Sequence, residues 1–272
     1  MWTKLSYGGM YEGKSGIQVV TKIDYKTEYY ERIKPNYQTF NNRCPGYWLM
    51  KYQDRLTRIT TLLNKTKDLS LYDIGCGLGR GLSYFKKLGV NIKGCEPSDY
   101  AYKNNRCKEA VDNCYFKDNV IKDKFDIVHI EQVLSHEPDY KSVLRKADEI
   151  LKDKGVMCIE EPNDYNALQM ILKKDYGEYW VVKDHANYFN FSLADELEQM
   201  GYKVEKSCTF PMELFALSGQ KYIGDDVIGA EVHKKRYDLL SSLSYEMRQE
   251  LKDWYASLGV GRDIVLFARK GG

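Results

Sequence analysis

A cluster of glycines in the segment DIGCGLGRG (73–81) has the composition of a ligand-binding turn. Glycine allows a tight turn after a strand, and it lets a ligand approach the backbone because no Cβ atom is in the way. The spacing GxGxG differs from the GxGxxG of dinucleotide-binding turns, which disfavours an NAD-dependent oxidoreductase. Glu96 ends the next predicted strand, where a carboxylate can accept both hydroxyls of a ribose. The pattern predicts a site for a ribose-containing ligand, with a plain strand-to-helix turn as the alternative.

Histidines follow or lie within the later predicted strands, where an imidazole could exchange a proton near neutral pH. His185 lies in a loop after the fifth strand of the predicted sheet, and we expect a general base or an orienting donor there, or else a side chain that fixes the loop. His136 follows the fourth strand and is a second candidate base, with a hydrogen bond at a helix start as the alternative. His129 lies inside that strand and is expected to be an interior histidine with its hydrogen bonds satisfied.

Two further groups of charged residues could carry chemistry. Glu160 and Glu161 end the fifth strand and could hold a metal ion, but hard cations need several converging oxygens, so we expect no metal and ordinary polarity at the sheet edge. The basic run 233–236 is typical of a solvated helix face, with a clamp for an acceptor phosphate as the alternative.

These residues must be positioned by alternating strands and helices. The sequence predicts short strands over 71–74, 90–95, 125–130, 156–160, 202–208 and 264–268. Helical spacing of apolar residues predicts helices over 47–64, near 78–88, after Asp139, from Ser192 with a capping-box pattern to Gly201, and near 245–258. Such alternation predicts an α/β fold, a doubly wound and mostly parallel sheet.

Three stretches exceed what a minimal sheet domain needs. The aromatic-rich N-terminal segment 1–64 is expected to form a lid or cap, and the stretches 163–191 and 210–261 are expected to be cap insertions in a domain spanning 65–272.

Composition restricts the class of protein. The chain has 272 residues, a formal charge of +2, 43% hydrophobic and 29% charged residues, which is typical of a globular protein and disfavours a nucleic-acid-coating surface. It contains no apolar run long enough to span a membrane and no secretory signal pattern at its start. The seven cysteines show no CxxC pair, so we expect reduced thiols in a cytoplasmic protein.

The motifs and their order resemble the class I S-adenosylmethionine-dependent methyltransferases. The resemblance lies in LYDIGCGLGRGLSYF (71–85), KGCEPSD (93–99), FKD (116–118), FDIVHIEQVLSH (125–136), LKDKGVMCIEEPN (151–163) and HANYFNFSLADELEQMGY (185–202). It implies a Rossmann-like seven-stranded sheet of order 3-2-1-4-5-7-6, with an antiparallel hairpin of 202–208 and 262–268 at one edge. Arg80 and Gly81 depart from the small-then-apolar pair that often follows the family's glycine motif.

The resemblance also implies a cofactor, S-adenosylmethionine, and the residues that would bind it. The glycine turn would lie against its methionine and ribose, Asp73 would orient the turn or meet the amino group, and Glu96 would hold the ribose hydroxyls. The position after the third strand would meet the adenine, and the end of the fourth strand would lie by the methionine. The implied set is Asp73, Gly75, Cys76, Gly77, Gly79, Glu96, Asp118, Asn119, Glu131 and Gln132.

The chain further resembles family members that act on small metabolites and on sugars or surface-polysaccharide precursors. The segments that indicate this are HANYF (185–189), FPMELFALSGQKYIG (210–224) and GVGRDIVLFARK (259–270). We therefore expect O-methylation of a small molecule, such as a nucleotide-linked or phosphorylated sugar of capsule or lipopolysaccharide biosynthesis. An N-methyltransferase on an amino sugar and a non-catalytic cofactor-binding protein are the alternatives. No nucleic-acid partner and no membrane insertion are expected, and a homodimer is compatible with the sequence.

Overall fold

The computed structural model describes residues 3–4, 10–13, 16–19, 25–27, 29–30, 44–163, 185–209, 234 and 237–271, with the backbone alone before residue 25. The strands are β1 (Thr3–Lys4), β2 (Met10–Gly13), β3 (Gly16–Val19), β4 (Ser70–Ile74), β5 (Asn91–Cys95), β6 (Val111–Asp112), β7 (Phe125–Glu131), β8 (Leu151–Pro162), β9 (Asn187–Phe189), β10 (Tyr202–Cys208) and β11 (Asp263–Lys270). The α-helices are α1 (Pro45–Leu63), α2 (Arg80–Lys87), α3 (Asp99–Lys103), α4 (Tyr140–Ile150), α5 (Leu193–Gln199) and α6 (Tyr245–Ser257).

Seven strands form the main sheet in the order β10-β11-β8-β7-β4-β5-β6. The pairs from β8 through β6 are parallel, whereas β11 runs antiparallel to both β8 and β10. Numbered along the chain within this sheet, the order is 3-2-1-4-5-7-6, and the predicted Rossmann-like α/β fold is confirmed. The carboxyl ends of β4, β5 and β7 therefore meet at one edge, where such sheets bind ligands.

Helices cover both faces of the sheet, which explains why its central strands are apolar on both sides. On one face, α4 and α5 bury Leu144, Ala147 and Leu193 against Val128 and Ile159. On the other face, α1 and α2 bury their apolar sides against the alternate residues of the same strands, and Leu251 and Tyr255 of α6 pack against the edge of that cluster. The main sheet is thus the centre of a three-layer structure.

The predicted strands and helices are present, with two differences in detail. β8 begins at Leu151, directly after α4, rather than at residue 156. The predicted capping box at Ser192 is wrong, because Ser192 has helical torsion angles and its side chain caps no backbone N–H. Asn190 takes that role, since its side-chain oxygen accepts the backbone N–H of Ser192 over 2.9 Å.

The segments outside the minimal domain are partly described. A small sheet of order β1-β2-β3-β9 joins the N-terminal strands to residues 187–189. α1 packs onto β8, β11 and α2 as one layer of the fold. The predicted boundary between an N-terminal cap (1–64) and the methyltransferase domain (65–272) stays a prediction. The structure does not describe residues 164–184 and 210–233 of the predicted cap insertions. These ranges include the segment 210–224, which resembles sugar-modifying family members. His233, Lys235 and Arg236 of the basic run also lie outside the described residues.

All seven cysteines are described, and none of them lies in a disulfide. Within the described ranges, no helix combines the length and apolar character needed to cross a membrane.

Candidate functional site

The glycine turn adopts a backbone that side chains would obstruct. Gly75, Gly77 and Gly79 all have positive φ angles, at 63°, 56° and 72°. A Cβ atom on Gly79 would lie 2.2 Å from Oδ1 of Asn105, and one on Gly77 would lie 2.8 Å from the hydroxyl of Tyr30. Glycine is therefore required here both for the backbone conformation and for the close approach of neighbours.

An open cavity lies above this turn, at the edge where β4, β5 and β7 end. The sheet side is lined by Asp73, Ile74, Gly75, Cys76, Gly77, Cys95, Glu96, His129, Glu131 and Gln132, and further lining comes from Tyr25, Tyr29, Tyr30, Tyr52, Leu78, Arg80, Gly81, Pro97, Tyr115, Phe116, Lys117, Val133, His136, Glu137 and Val143. Aromatic residues of the N-terminal segment thus form part of its wall. The structure brings most of the predicted cofactor residues into one cavity.

Glu96 directly follows β5 and lines the cavity. Its side chain accepts the backbone N–H of Gly77 and that of Ser98, each over 2.8 Å. Burial raises the pKa of Glu96 to about 7, although both of these hydrogen bonds favour the ionised form. A buried carboxylate beside a glycine turn fits the ribose of the predicted cofactor, because ribose hydroxyls can donate to its remaining lone pairs.

The loop after the third strand contributes different residues from those predicted. Asp118 is exposed, and Asn119 donates to the hydroxyl of Tyr72 over 2.8 Å and to Asp112 over 3.0 Å. The cavity wall from this loop is formed instead by Tyr115, Phe116 and Lys117. Asp118 and Asn119 therefore lie beside the cavity, and their role toward the adenine stays a prediction.

Glu131 ends β7, lines the cavity and is surrounded by cations. It pairs with Lys51 over 3.1 Å, with Arg55 over 3.0 Å and with Arg80 over 3.4 Å, and it accepts the Tyr52 hydroxyl over 3.0 Å. Burial alone would raise the pKa of Glu131, but the three cations hold it well below its usual range. Glu131 is therefore an ionised carboxylate that anchors α1 and α2 to the sheet.

Glu160 belongs to the same charged cluster. Its side chain pairs with Lys51 over 2.6 Å and with Arg55, and only 2% of the residue is exposed. Glu161 is fully buried and accepts the backbone N–H groups of Val133, Leu134 and Ser135 over 2.8, 2.7 and 3.0 Å. The expectation of ordinary polarity at the sheet edge is wrong for both glutamates, because each has specific buried partners.

His129 joins Asp73 to the charged cluster. Its Nε2 lies 2.7 Å from Nη1 of Arg55, and its Nδ1 lies 2.7 Å from Oδ1 of Asp73. Because arginine can only donate, Nε2 must accept, so the ring carries its hydrogen on Nδ1 and donates it to Asp73. His129 is an interior histidine with both nitrogens bonded, as predicted, and it fixes the orientation of the Asp73 carboxylate.

His136 faces the cavity, and His185 lies behind it. The Tyr25 hydroxyl is 3.2 Å from Nδ1 of His136, and the Tyr29 hydroxyl is 3.4 Å from Nε2. His185 is 7% exposed, and its ring packs edge-on against the His136 ring at 4.8 Å between centroids. The structure therefore brings the two predicted bases together, and of the two it is His136 that lines the cavity.

The turn that carries His136 is held from two sides. Glu161 binds its backbone N–H groups, as described above, and the Asn187 side chain donates to the carbonyls of Leu134 and Glu137, each over 2.8 Å. Gln132, just before this turn, has a positive φ of 58°, and its amide donates to Asp263 over 3.1 Å. The position of the imidazole is thus fixed by buried contacts.

No cluster of metal-ligating side chains occurs in the part of the chain that the structure describes.

Four site residues were not singled out from the sequence. They are the cations of α1 and their aromatic neighbours: Trp48, Lys51, Tyr52 and Arg55. The available signal was the spacing of Lys51 and Arg55, four residues apart and on one side of an amphipathic helix.

Comparisons with known proteins agree with the fold. A family described as methyltransferase domain matches residues 48–207, which include the glycine turn, Glu96, Glu131 and His136. The ubiquinone biosynthesis O-methyltransferase of Rhodopseudomonas palustris (strain BisB5) is 29% identical over 140 residues, covering 48% of this chain and 55% of that protein. The enzyme of the same name from Nitrobacter winogradskyi is 28% identical over 144 residues, covering 50% and 55%. The chain thus spans about half the length of these curated relatives.

Solved structures share the fold over most of the chain. The plantazolicin methyltransferase BpumL in complex with SAH (S-adenosylhomocysteine) superimposes with a TM-score of 0.58 and 15% identity, covering 90% of this chain and 92% of that one. A SAM-dependent methyltransferase of Thermotoga maritima, described as a possible histamine N-methyltransferase, gives a TM-score of 0.53 and 17% identity, covering 89% and 98%.

Proposed function

We propose that this protein transfers the methyl group of S-adenosylmethionine to an oxygen atom of a small molecule. The chain belongs to the methyltransferase-domain family, as a class I S-adenosylmethionine-dependent enzyme. The methyl donor is S-adenosylmethionine and the product is S-adenosylhomocysteine. The proposal concerns the acceptor. It depends on one observation, the imidazole of His136 in the wall of the cavity that also contains the glycine turn.

An oxygen acceptor needs a group that can remove its proton, and His136 is suited to this role. When bound, S-adenosylmethionine supplies a methyl carbon activated by its sulfonium, so the protein mainly aligns the reactants and handles the proton. The Tyr25 hydroxyl lies 3.2 Å from Nδ1 of His136 and fixes the ring. Tyr29 has the longer contact, 3.4 Å to Nε2, and we expect an acceptor hydroxyl to replace it there and give its proton to Nε2.

The cavity wall also favours a ring-shaped acceptor. Tyr25, Tyr29 and Tyr30 line it, and aromatic side chains bind flat apolar rings and the apolar faces of sugars. The names of the curated relatives, which are O-methyltransferases, support oxygen as the acceptor atom. The sugar or phosphate-containing precursor suggested by the sequence stays within this proposal as one class of acceptor. An amine is the other candidate, because a neutral amine can attack without losing a proton first.

The test is a screen of acceptors with the purified protein and S-adenosylmethionine, read by mass spectrometry as the gain of one methyl group. The panel would contain phenols, nucleotide-linked sugars, phosphorylated sugars and the matching amines. We expect a hydroxyl compound to be methylated and the matching amine not to be. Methylation of the amines alone would replace the proposal by N-methylation.

A further inference from the structure

We infer that Arg80 binds the α-carboxylate of the methionine part of S-adenosylmethionine and that α1 holds Arg80 in place for this purpose. Arg80 is the first residue of α2, directly after the glycine turn. The inference concerns the donor end of the cavity, so it is independent of whether the acceptor atom is oxygen or nitrogen.

The cavity has two distinguishable ends. The order β6-β5-β4-β7 across the sheet distinguishes them: Phe116 and Lys117 follow β6, Glu96 follows β5, the glycine turn follows β4, and Glu131 ends β7. All of these residues line the cavity, and Arg80 lies at the β7 end, where it contacts Glu131. If Glu96 holds the ribose, the adenine and the amino-acid part must extend in opposite directions from it. The amino-acid part carries a carboxylate, and Arg80 is a cation at this end of the cavity that can bind it.

Arg80 differs from the other cations around Glu131. Lys51 and Arg55 approach Glu131 over 3.1 and 3.0 Å and also bind Glu160 behind it. Arg80 approaches over 3.4 Å, the longest of the three contacts, and among these cations it is the one that lines the cavity. Glu131 is thus neutralised by Lys51 and Arg55, so Arg80 can serve a second anion without leaving a buried carboxylate unpaired.

Trp48 fixes the guanidinium of Arg80. The central guanidinium carbon lies 3.6 Å from the centre of the Trp48 ring, and the residue is only 8% exposed. A guanidinium stacked on an aromatic face keeps its N–H donors in its own plane, where they match the two oxygens of a carboxylate. The cation is therefore preorganised, and α1 becomes part of the cofactor site although none of its residues belongs to the glycine motif.

The experiment compares two ligands that differ only in the carboxylate, S-adenosylmethionine and decarboxylated S-adenosylmethionine, by isothermal titration calorimetry. We expect the unmodified protein to bind S-adenosylmethionine at least tenfold more tightly. In Arg80→Met, which keeps the length of the side chain and removes the charge, this ratio should fall to near one while affinity for the decarboxylated ligand is retained. Lys117→Met removes the cation at the other end of the cavity and should leave the ratio unchanged.

Retained binding of the decarboxylated ligand also shows that the variant is folded. Equal affinities of the unmodified protein for the two ligands would overturn the inference, and so would an unchanged ratio in Arg80→Met. If Arg80→Met lost both ligands, Arg80→Gln would decide, because it removes the charge and keeps a polar side chain. The ratio should fall in this variant, and a ratio equal to that of the unmodified protein would exclude the role. Failure of both ligands to bind the unmodified protein would instead contradict the cofactor itself.

Discussion

The backbone N–H of Gly77 donates to the carboxylate of Glu96 over 2.8 Å, which ties the glycine turn to the residue expected to hold the ribose. The same carboxylate accepts the backbone N–H of Ser98 at the start of α3. Glu96 thus fixes the turn, and it also lines the cavity in which the ribose is expected to bind.

Replacing Glu96 by Ala is expected to weaken binding of S-adenosylhomocysteine by tenfold or more. The variant loses two charge-assisted hydrogen bonds to the ribose, each of about 1 kcal/mol or more, and it loosens the turn. Calorimetry measures the change. Glu109→Ala, which removes an exposed glutamate on the neighbouring 3₁₀ turn Lys108–Ala110, is the matched control and should bind normally. An unchanged dissociation constant in Glu96→Ala would mean that the ribose is held elsewhere.

Binding of S-adenosylhomocysteine should also strengthen as pH rises from 6 to 8. Burial raises the pKa of Glu96 to about 7, and the ribose hydroxyls need the ionised carboxylate as their acceptor. The dissociation constant should therefore fall about tenfold across this range, with proton release on binding at the lower end. Titrations in buffers of different protonation enthalpy measure that release. In Glu96→Gln the affinity should no longer depend on pH in this window.

The raised pKa of Glu96 should also make the stability of the ligand-free protein depend on pH, but stability should fall as pH rises. A carboxylate whose folded-state pKa lies above its unfolded value stabilises the fold at low pH, and that contribution is lost as pH rises through the folded-state pKa. Burial also raises the pKa of Glu161 to about 7, so both glutamates should lower the free energy of unfolding of the ligand-free protein between about pH 5 and 7. Glu161 lies outside the ribose site, so its titration should not change with the cofactor.

His136→Ala is expected to lower the turnover number by about 10²–10⁴-fold on a hydroxyl acceptor and to leave binding of S-adenosylhomocysteine unchanged, because the variant loses the base. His185→Ala is the comparison, since His185 packs against the His136 ring without lining the cavity. It should have a smaller effect, through the position of that ring. Single-turnover assays measure both. Full activity of a folded His136→Ala protein would reject the base and favour an amine acceptor.

Asp54→Ala is expected to destabilise the fold by about 2–4 kcal/mol, because it leaves two cations without their buried partner. Asp54 is 4% exposed and pairs with Arg248 over 2.6 Å and Lys252 over 3.2 Å, which joins α1 to α6. The matched control is Asp253→Ala: Asp253 pairs with Arg58 over 2.7 Å, but its side chain is 40% exposed, so the loss should be below about 1 kcal/mol. Urea denaturation measures both, and equal losses would contradict the buried role of Asp54.

Local patterns were sufficient to predict six of the seven strands of the main sheet and the turn above it, but not β6, which has two residues. The apolar runs of β4, β7 and β11 are short and bounded, and Gly75, Gly77 and Gly79 occur where only glycine fits the turn. Sheet order came from the family resemblance, since periodicity alone does not specify which strands are neighbours.

The charged cluster could not be predicted in the same way. Lys51 contacts Glu131 and Glu160 across sequence separations of 80 and 109 residues, and a lysine on an amphipathic helix ordinarily faces solvent. Only the packing of α1 onto β8 shows that these charges are buried together. The sequence favoured His185 over His136 as the base, whereas the structure places the His136 ring in the cavity wall. The reason is similar, because the turn of His136 is held by Glu161 and Asn187, both distant in sequence.

The pairing of β3 with β9 has a consequence for how the protein folds. Gly16 pairs with Phe189, roughly 170 residues later in the chain, so the small sheet closes a very long loop. Contacts of such high sequence separation form slowly, because the entropy of loop closure must be overcome before the strands can pair. The main sheet, with its local strand–helix–strand units, should therefore assemble first, and the N-terminal strands should dock onto an existing scaffold. In a newly made chain, β3 would therefore pair with β9 late, after β11, the last strand of the main sheet along the chain, has left the ribosome.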